Sequence, residues 1–108
     1  MSAVLVYMTA ASLSEAETIG RTLVEERLAA CVNMVPGMRS IYRWQGTIES
    51  ATEIVLIAKT RQDLAPALLT RVKALHSYDV PCAVVLPIID GLPDFLRWID
   101  AETLPPSA

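Results

Sequence analysis

The chain has little positive charge and few of the side chains, His and Cys, that bind soft metals. Its 108 residues include 9 Lys and Arg against 12 Asp and Glu, for a formal net charge of −3, with one His and two Cys. A protein that binds duplex nucleic acid needs clustered Lys and Arg to displace counterions from phosphate. Anionic membrane surfaces also attract basic segments. The composition therefore argues against both nucleic acid and membranes as partners.

No apolar run approaches the roughly 20 residues that a transmembrane helix needs. The opening segment MSAVLVYMTAAS lacks the basic residues that begin a secretory signal peptide, so we expect it to form a strand. Two cysteines without an export signal are typical of a reducing compartment, which predicts free thiols and a cytoplasmic location. A disulfide between Cys31 and Cys82 remains the alternative.

The common catalytic and nucleotide-binding motifs are also missing. The sequence contains no GxxxxGK[ST] loop, no GxGxxG after a strand, no HExxH and no GxSxG. A single histidine gives no visible set of nucleophile, base and orienting group. We therefore expect a protein that is not an enzyme and that requires no cofactor.

The hydrophobic pattern predicts four strands and three helices. The first half begins with a strand over 3–9 and a helix that begins at Ser12 or Ser14, with Glu15 turned to water. A long hairpin follows, with strand segments over 31–35 and 40–44 around a bulge at Pro36–Gly37, a turn at Gln45–Gly46 and a strand over 47–60. The second half has a helix capped by Asp63 and ending near Ser77, a strand over 82–88, and a short helix that begins at Pro93. This β-α-β-β-α-β order with a terminal helix is that of the ferredoxin-like α+β fold. We expect one domain over residues 1–103 and a flexible tail over 104–108.

Three of the predicted strands are apolar on both faces. In this fold the helices cover one face of the sheet, so the strands should alternate between apolar and polar residues. Residues 3–8, 54–58 and 83–86 are instead apolar throughout, in a chain that is 53% hydrophobic and only 19% charged. No segment of the chain is left to cover the second face. We therefore predict an obligate oligomer whose sheets pack face to face.

One candidate site is a set of soft metal ligands. The stretch LHSYDVPCAVVLPI places His76, the only histidine, six residues before Cys82, and Cys31 is the second thiol. Thiolate and imidazole, with the weaker candidates Met8 and Met34, suit Cu(I) or Zn(II). The spacing is not that of a known zinc motif. The alternative is structural, with thiols packed as small apolar groups and the histidine bonded to carbonyls at a helix end.

A second candidate site combines polar and aromatic residues on and after the long hairpin. Its members are Tyr42, Trp44, Glu49, Glu53, Lys59, Tyr78 and Trp98. Lys59 ends a very apolar strand, where a cation needs a partner or a ligand, and Glu53 lies on the same face of that strand. A salt bridge at the rim of a subunit contact and an anion or small-molecule pocket between subunits both fit this pattern.

The motifs ACVN, SxYxWxG, KT and HxYxxP occur here in the order and spacing of a known family. From YMTA at 7–10 to Trp98, the chain resembles the CutA divalent-cation tolerance proteins. The resemblance implies a ferredoxin-like homotrimer, similar in architecture to the PII signalling proteins, with a link to tolerance of copper and other divalent cations. One departure is Cys82, which stands where the family typically has glutamate. A thiol in place of a carboxylate favours soft metals.

These observations lead to two functional hypotheses. The first is a non-enzymatic homotrimer that binds divalent or soft cations, with Cys31, His76 and Cys82 as ligands. The second is a PII-like signalling or scaffolding module that binds a small metabolite at clefts between subunits, where the resemblance places Tyr42, Trp44, Glu53, Lys59, Tyr78 and Trp98 by analogy. An RNA-binding domain of the same element order is disfavoured, because its exposed sheet would carry aromatic and basic residues.

Overall fold

A computed structural model of the chain describes residues 2–105. Its elements are β1 (Ala3–Ala10), α1 (Leu13–Glu25), β2 (Cys31–Trp44), β3 (Thr47–Arg61), a one-turn 3-10 helix (Gln62–Leu64), α2 (Ala65–Leu75), β4 (Ala83–Pro87) and α3 (Pro93–Glu102). The strands form one antiparallel sheet in the order β2-β3-β1-β4. The ferredoxin-like α+β prediction is confirmed. Of the predicted flexible tail, residues 106–108 lie outside the described residues.

α1 begins at the capping signal that the sequence carries. The Ser12 side chain accepts a hydrogen bond of 3.1 Å from the Glu15 N–H, and the Glu15 carboxylate accepts one of 3.1 Å from the Ala11 N–H, a reciprocal arrangement close to a capping box. Further along α1, a Cβ atom on Gly20 would lie 3.3 Å from Cγ1 of Val32. The glycine therefore lets the helix approach the sheet closely.

α2 begins differently from the prediction. Asp63 was expected to cap this helix, but the residue before α2 is Leu64 and no side chain caps the helix. The Asp63 carboxylate instead accepts hydrogen bonds of 2.9 and 3.0 Å from the Arg61 guanidinium. The bidentate bond to arginine is stronger than a bond to a backbone N–H, and this explains why the cap is lost.

The core lies between α1, α2 and one face of the sheet. Its fully buried side chains are Val6, Met8, Ala10, Ala16, Ile19, Leu23, Ala29, Leu56, Ala58, Leu68 and Val72. Strand residues alternate between the two faces of a sheet, so every second residue of β1 and β3 points into this core. Full burial of a side chain such as Leu or Ile stabilises the fold by about 1.5–3 kcal/mol, and this cluster contains several such side chains.

The remaining strand residues form the second face, which we call the open face. From the strand register its members are Ala3, Leu5, Tyr7, Thr9, Cys31, Asn33, Val35, Glu53, Val55, Ile57, Lys59, Arg61, Val84 and Leu86. Val35 is 51% exposed and Val84 is 52% exposed. In a single chain Val35, Val84 and Leu86 are therefore exposed to water, while Leu5, Tyr7, Val55 and Ile57 are partly buried.

α3 covers one end of the open face. Its Ile99 is fully buried against Ala3 and Ala30. The buried Arg61 guanidinium donates a hydrogen bond of 2.7 Å to Oγ1 of Thr103, just after the helix. The prediction that no segment of the chain covers the second face is therefore wrong at this end. It overlooked that a helix of ten residues can fold back across the sheet.

β2 and β3 extend past β1 as a two-stranded arm. β1 pairs with β3 only as far as Ala10 opposite Ile54, so residues 38–53 have no third strand beside them. On the arm, Ile41 is 79% exposed and Ile48 is 65% exposed. A two-stranded ribbon is marginally stable alone in water. Like the open face, the arm presents apolar surface without a partner inside the chain.

The long hairpin has a bulge and a tight turn at the residues where the sequence predicts them. The ladder between β2 and β3 shifts register between Val35 and Met38, where Gly37 has a φ of 83°. The connecting turn has positive φ at both Gln45 and Gly46, 49° and 80°, as a two-residue hairpin turn requires. The predicted bulge and turn are both confirmed.

Candidate functional site

Polar side chains from β1, β3 and the connection between α2 and β4 meet at the end of the sheet away from α3. They belong to Thr9, Glu53, His76, Tyr78 and Cys82, and we call them the Glu53 site. Glu53 is only 7% exposed, and its carboxylate accepts a hydrogen bond of 2.9 Å from the Tyr78 hydroxyl. The His76 and Tyr78 rings are in contact, with centroids 4.7 Å apart. Thr9 and Glu53 lie on strands, and hydrogen bonds fix the connection that carries the other three groups.

His76 is fixed by hydrogen bonds at both ring nitrogens. Nδ1 accepts from the Tyr78 N–H at 3.0 Å, so the ring proton is on Nε2, which donates to the Thr9 carbonyl at 2.7 Å. The ring therefore joins the end of α2 to the end of β1. It can bind a cation only after it gives up one of these hydrogen bonds.

Glu15 anchors the same connection from α1. Its carboxylate accepts a hydrogen bond of 2.9 Å from the Ser77 N–H in addition to the bond from Ala11. Partial burial opposes ionisation, but the hydrogen bonds from Ser77 and Ala11 outweigh it and lower the pKa of the Glu15 carboxyl. The expectation that Glu15 faces water is corrected: this carboxylate holds the loop that carries the site.

The ionisable hydroxyl and thiol of the site are both kept protonated. Burial, together with the hydrogen bond to Glu53 and its negative charge, raises the pKa of Tyr78 to about 12. Burial also raises the pKa of the Cys82 thiol, and the Glu53 charge adds to this, while a hydrogen bond with the Thr9 side chain opposes it. Cys82 is therefore a poor nucleophile in the single chain and must lose its proton to bind a metal ion.

The Glu53 carboxylate has no cation beside it within residues 2–105. In that part of the chain the ion pairs are Arg61–Asp63, Arg71–Glu26 and Arg97–Asp94. A buried carboxylate without a positive partner is costly, because it has lost most of its hydration. A positively charged group beside Glu53 would therefore be stabilised by its carboxylate.

A single chain does not assemble the whole polar and aromatic pocket that the sequence predicts. Tyr42 lies near Tyr78, and its ionised form would raise the Tyr78 pKa. Trp44 lies at the tip of the arm, opposite Thr47. Lys59 lies six residues from Glu53, about 20 Å along β3, where its Nζ bonds to Oδ1 of Asn33.

Trp98 is also distant from the Glu53 site. It lies on α3, at the opposite end of the open face from the Glu53 site, where it stacks on Phe95 with ring centroids 5.6 Å apart. One subunit therefore holds Tyr42, Glu53 and Tyr78 at one end and Lys59 and Trp98 at the other. The described part of the chain does not bring these two groups together.

The three predicted metal ligands are also divided. His76 and Cys82 both lie beside Thr9, whereas Cys31 lies opposite Lys59 on β3. Lys59 is in turn opposite Leu5, four residues and about 13 Å along β1 from Thr9. Both cysteines are free thiols. Among the described residues, no group of three or more His, Cys, Asp and Glu side chains could hold a metal ion in one chain.

Sequence reasoning overlooked Thr9 and Glu15 as parts of this site. Thr9 carried a usable signal, since it is a polar residue at the end of an otherwise apolar strand. Glu15 carried none, because its partner Ser77 lies 62 residues away in the chain.

No helix in the span 2–105 is long and apolar enough to cross a membrane.

Comparisons with known proteins cover almost the whole chain. The model of the CutA1 divalent ion tolerance protein family matches residues 4–102. The divalent-cation tolerance protein CutA of Thermus thermophilus is 50% identical over 99 residues, which cover 92% of this chain and 96% of the relative.

Two solved structures show the same architecture. CutA1 from Oryza sativa superposes with a TM-score of 0.94 at 39% identity, covering 96% of this chain and 95% of that one. The periplasmic divalent cation tolerance protein CutA from Archaeoglobus fulgidus gives 0.90 at 47% identity, covering 93% and 97%. The chain therefore belongs to the CutA1 divalent ion tolerance family.

Proposed function

We propose that this protein is a non-enzymatic homotrimer that binds divalent or soft metal cations and takes part in tolerance of copper and other divalent cations. The family name supports the link to divalent cations. We also propose a cytoplasmic location, because two free thiols are typical of a reducing compartment. The relative from Archaeoglobus fulgidus is described as periplasmic, so the compartment needs its own measurement.

The observation that carries the homotrimer is the uncovered apolar surface. The open face and the arm expose Val35, Val84, Ile41 and Ile48 to water. Soluble monomers rarely expose contiguous apolar surface of this extent. A second and third copy of the same chain can cover each open face without any other protein, since closed symmetric assemblies are the common form of homo-oligomers.

The proposed cation site is centred on Cys82. Its thiol lies beside the Glu53 carboxylate, and His76 is held next to it through Thr9. The ligands would be the thiols of Cys82 and Cys31 and the imidazole of His76, a set that suits Zn(II), and the thiols also suit Cu(I). Cys31 would join this set from another copy, since it lies at the opposite end of the open face of its own chain.

Equilibrium binding of Cu(I) and Zn(II) tests the cation site. We expect Cys82→Ala and Cys31→Ala each to weaken binding by at least tenfold, and Asp90→Asn, which removes an exposed carboxylate outside the site, to leave it unchanged. Equal affinities for the wild type and Cys82→Ala would remove Cys82 from the site. Equal affinities for the wild type and Cys31→Ala would remove the ligand from the second copy.

A second candidate function is that of a PII-like module that binds a small metabolite between subunits. The observation that favours it is the buried Glu53 carboxylate with Tyr78 bonded to it and Tyr42 nearby. A ligand that binds only the folded protein raises the melting temperature. A thermal-shift screen of nucleotides, organic acids and amines should then give at least one hit that Glu53→Gln abolishes. A screen without hits would contradict this candidate.

A further inference from the structure

We infer that Lys59 of one copy forms an ion pair with Glu53 of the next copy, so that a neighbouring subunit supplies the cation that each Glu53 site lacks. The inference rests on the proposed homotrimer and goes beyond it, because it names the two side chains that orient one sheet on another. Glu53 has no counterion in its own chain, Lys59 has no charged partner there, and the rest of the uncovered part of the open face carries no charge.

Glu53 carries a charge that its own chain leaves without a counterion. More than nine-tenths of the residue is buried, and the hydrogen bond to it comes from the neutral hydroxyl of Tyr78. A subunit packed over the open face would remove the remaining water. The assembled protein must then provide a positive group at this point or keep an unpaired buried charge, which is strongly unfavourable.

Lys59 has the complementary need at the other end of the same strand. It is half-buried, and the partner of its ammonium group is the neutral amide oxygen of Asn33. Its neighbours on the open face include Ile57 and Leu5. Covering this end with a second copy would also leave the ammonium group short of a charged partner.

Away from the end that α3 covers, where Arg61 pairs with Asp63, these two residues carry the only carboxylate and the only basic side chain among the described members of the open face. The other members are aliphatic residues, Tyr7, Thr9, Asn33 and the thiol of Cys31. Six residues, about 20 Å along β3, separate the two charges, so they cannot meet within one chain. The arrangement that leaves neither charge unpaired is a crosswise pair between copies.

A ring of three copies satisfies this pairing at every contact. Lys59 of each copy meets Glu53 of the next, which is a head-to-tail contact that closes on itself. Cys31 lies directly opposite Lys59 on the neighbouring strand. The same pairing would therefore bring Cys31 of one copy toward Cys82 of the next, where the proposed cation site needs a further thiol.

Charge reversal tests the pair. We expect Glu53→Lys and Lys59→Glu each to raise the dissociation constant of the trimer at least tenfold, measured by sedimentation equilibrium, and the double variant E53K/K59E to recover most of the loss. The matched control is Glu17→Lys, which reverses an exposed carboxylate on α1, outside the open face and the arm, and should leave the trimer unchanged. Circular dichroism of each variant shows whether the subunit is folded.

A second set of variants covers the case in which a reversed charge prevents folding. Glu53→Gln and Lys59→Met remove the charges, and in a double-mutant cycle the two changes together should weaken the trimer no more than either one alone. Additive losses, or no recovery in E53K/K59E, would overturn the pairing while the trimer stands. A wild-type protein that sediments as a monomer would overturn the trimer as well.

Discussion

The two faces of the sheet have nearly the same apolar character and very different surroundings. On one face, α1 and α2 bury Val6, Met8 and Leu56 completely. On the other, α3 covers one end, and Val35 and Val84 remain about half exposed. The first face accounts for the stability of the subunit. The second, with one buried carboxylate and one amine at its two ends, accounts for how we expect subunits to meet.

The largest expected effect comes from the buried face. Leu56→Ala removes a fully buried side chain between the helices and the sheet. Leu-to-Ala changes in protein cores lower the free energy of unfolding by about 2–5 kcal/mol, because they lose burial and leave a cavity. Urea denaturation should show this loss for the subunit itself. A change below about 1 kcal/mol would mean that this face is not the main source of stability.

The open face should respond in assembly rather than in folding. Val84→Asp places a carboxylate on β4, within the surface that we expect another copy to cover. Its trimer should dissociate at micromolar concentration while its circular dichroism stays that of the folded subunit. Thr70→Asp, on the outward side of α2, is the matched control and should leave the mass unchanged. Equal masses for both variants would show that the open face is not the contact surface.

A change at the covered end of the open face should have a smaller effect. Arg61→Ala removes the buried guanidinium that bonds Thr103 and Asp63. We expect it to lower the free energy of unfolding by about 1–3 kcal/mol, the cost of losing hydrogen bonds of buried groups. Hydrogen exchange should locate the loss in α3. Unchanged exchange rates in Ile99 and its neighbours would contradict the role of Arg61 in holding this helix.

The smallest expected effect is a dependence on pH through Glu15. Its pKa is lower in the folded protein than its ordinary value of 4.5, so its carboxylate stabilises the fold above that value, and this contribution is lost as the pH falls through the folded pKa. Glu15→Gln should therefore reduce stability near pH 7 and flatten its decrease in the acidic range. Parallel curves of melting temperature against pH for Glu15→Gln and the wild type would contradict this role.

Local chemistry explains which parts of the fold were predictable. The capping serine before α1, the bulge at Pro36–Gly37 and the turn at Gln45–Gly46 each depend on neighbouring residues, and all three are confirmed. The cap at Asp63 was wrong because Arg61, two residues away, binds the carboxylate more strongly. The position of α3 could not be read from its own pattern, since that pattern shows an apolar side and not the surface that it covers.

The candidate site was less predictable because it depends on distant residues. The strand period placed Glu53 and Lys59 on one face, as the register confirms. The hydrogen bonds from Ser77 to Glu15 and from His76 to Thr9 join residues more than 60 positions apart. No local spacing reports such contacts, and none reports that Cys31 and Cys82 lie at opposite ends of the open face.

The molecular mass of the wild-type protein in solution tests the central claim most directly. Sedimentation equilibrium at micromolar concentration should give three times the 11.8 kDa of one chain, because the open face and the arm need two further copies to cover them. A folded monomer of 11.8 kDa at the same concentration would contradict the claim that other copies of the chain cover this surface.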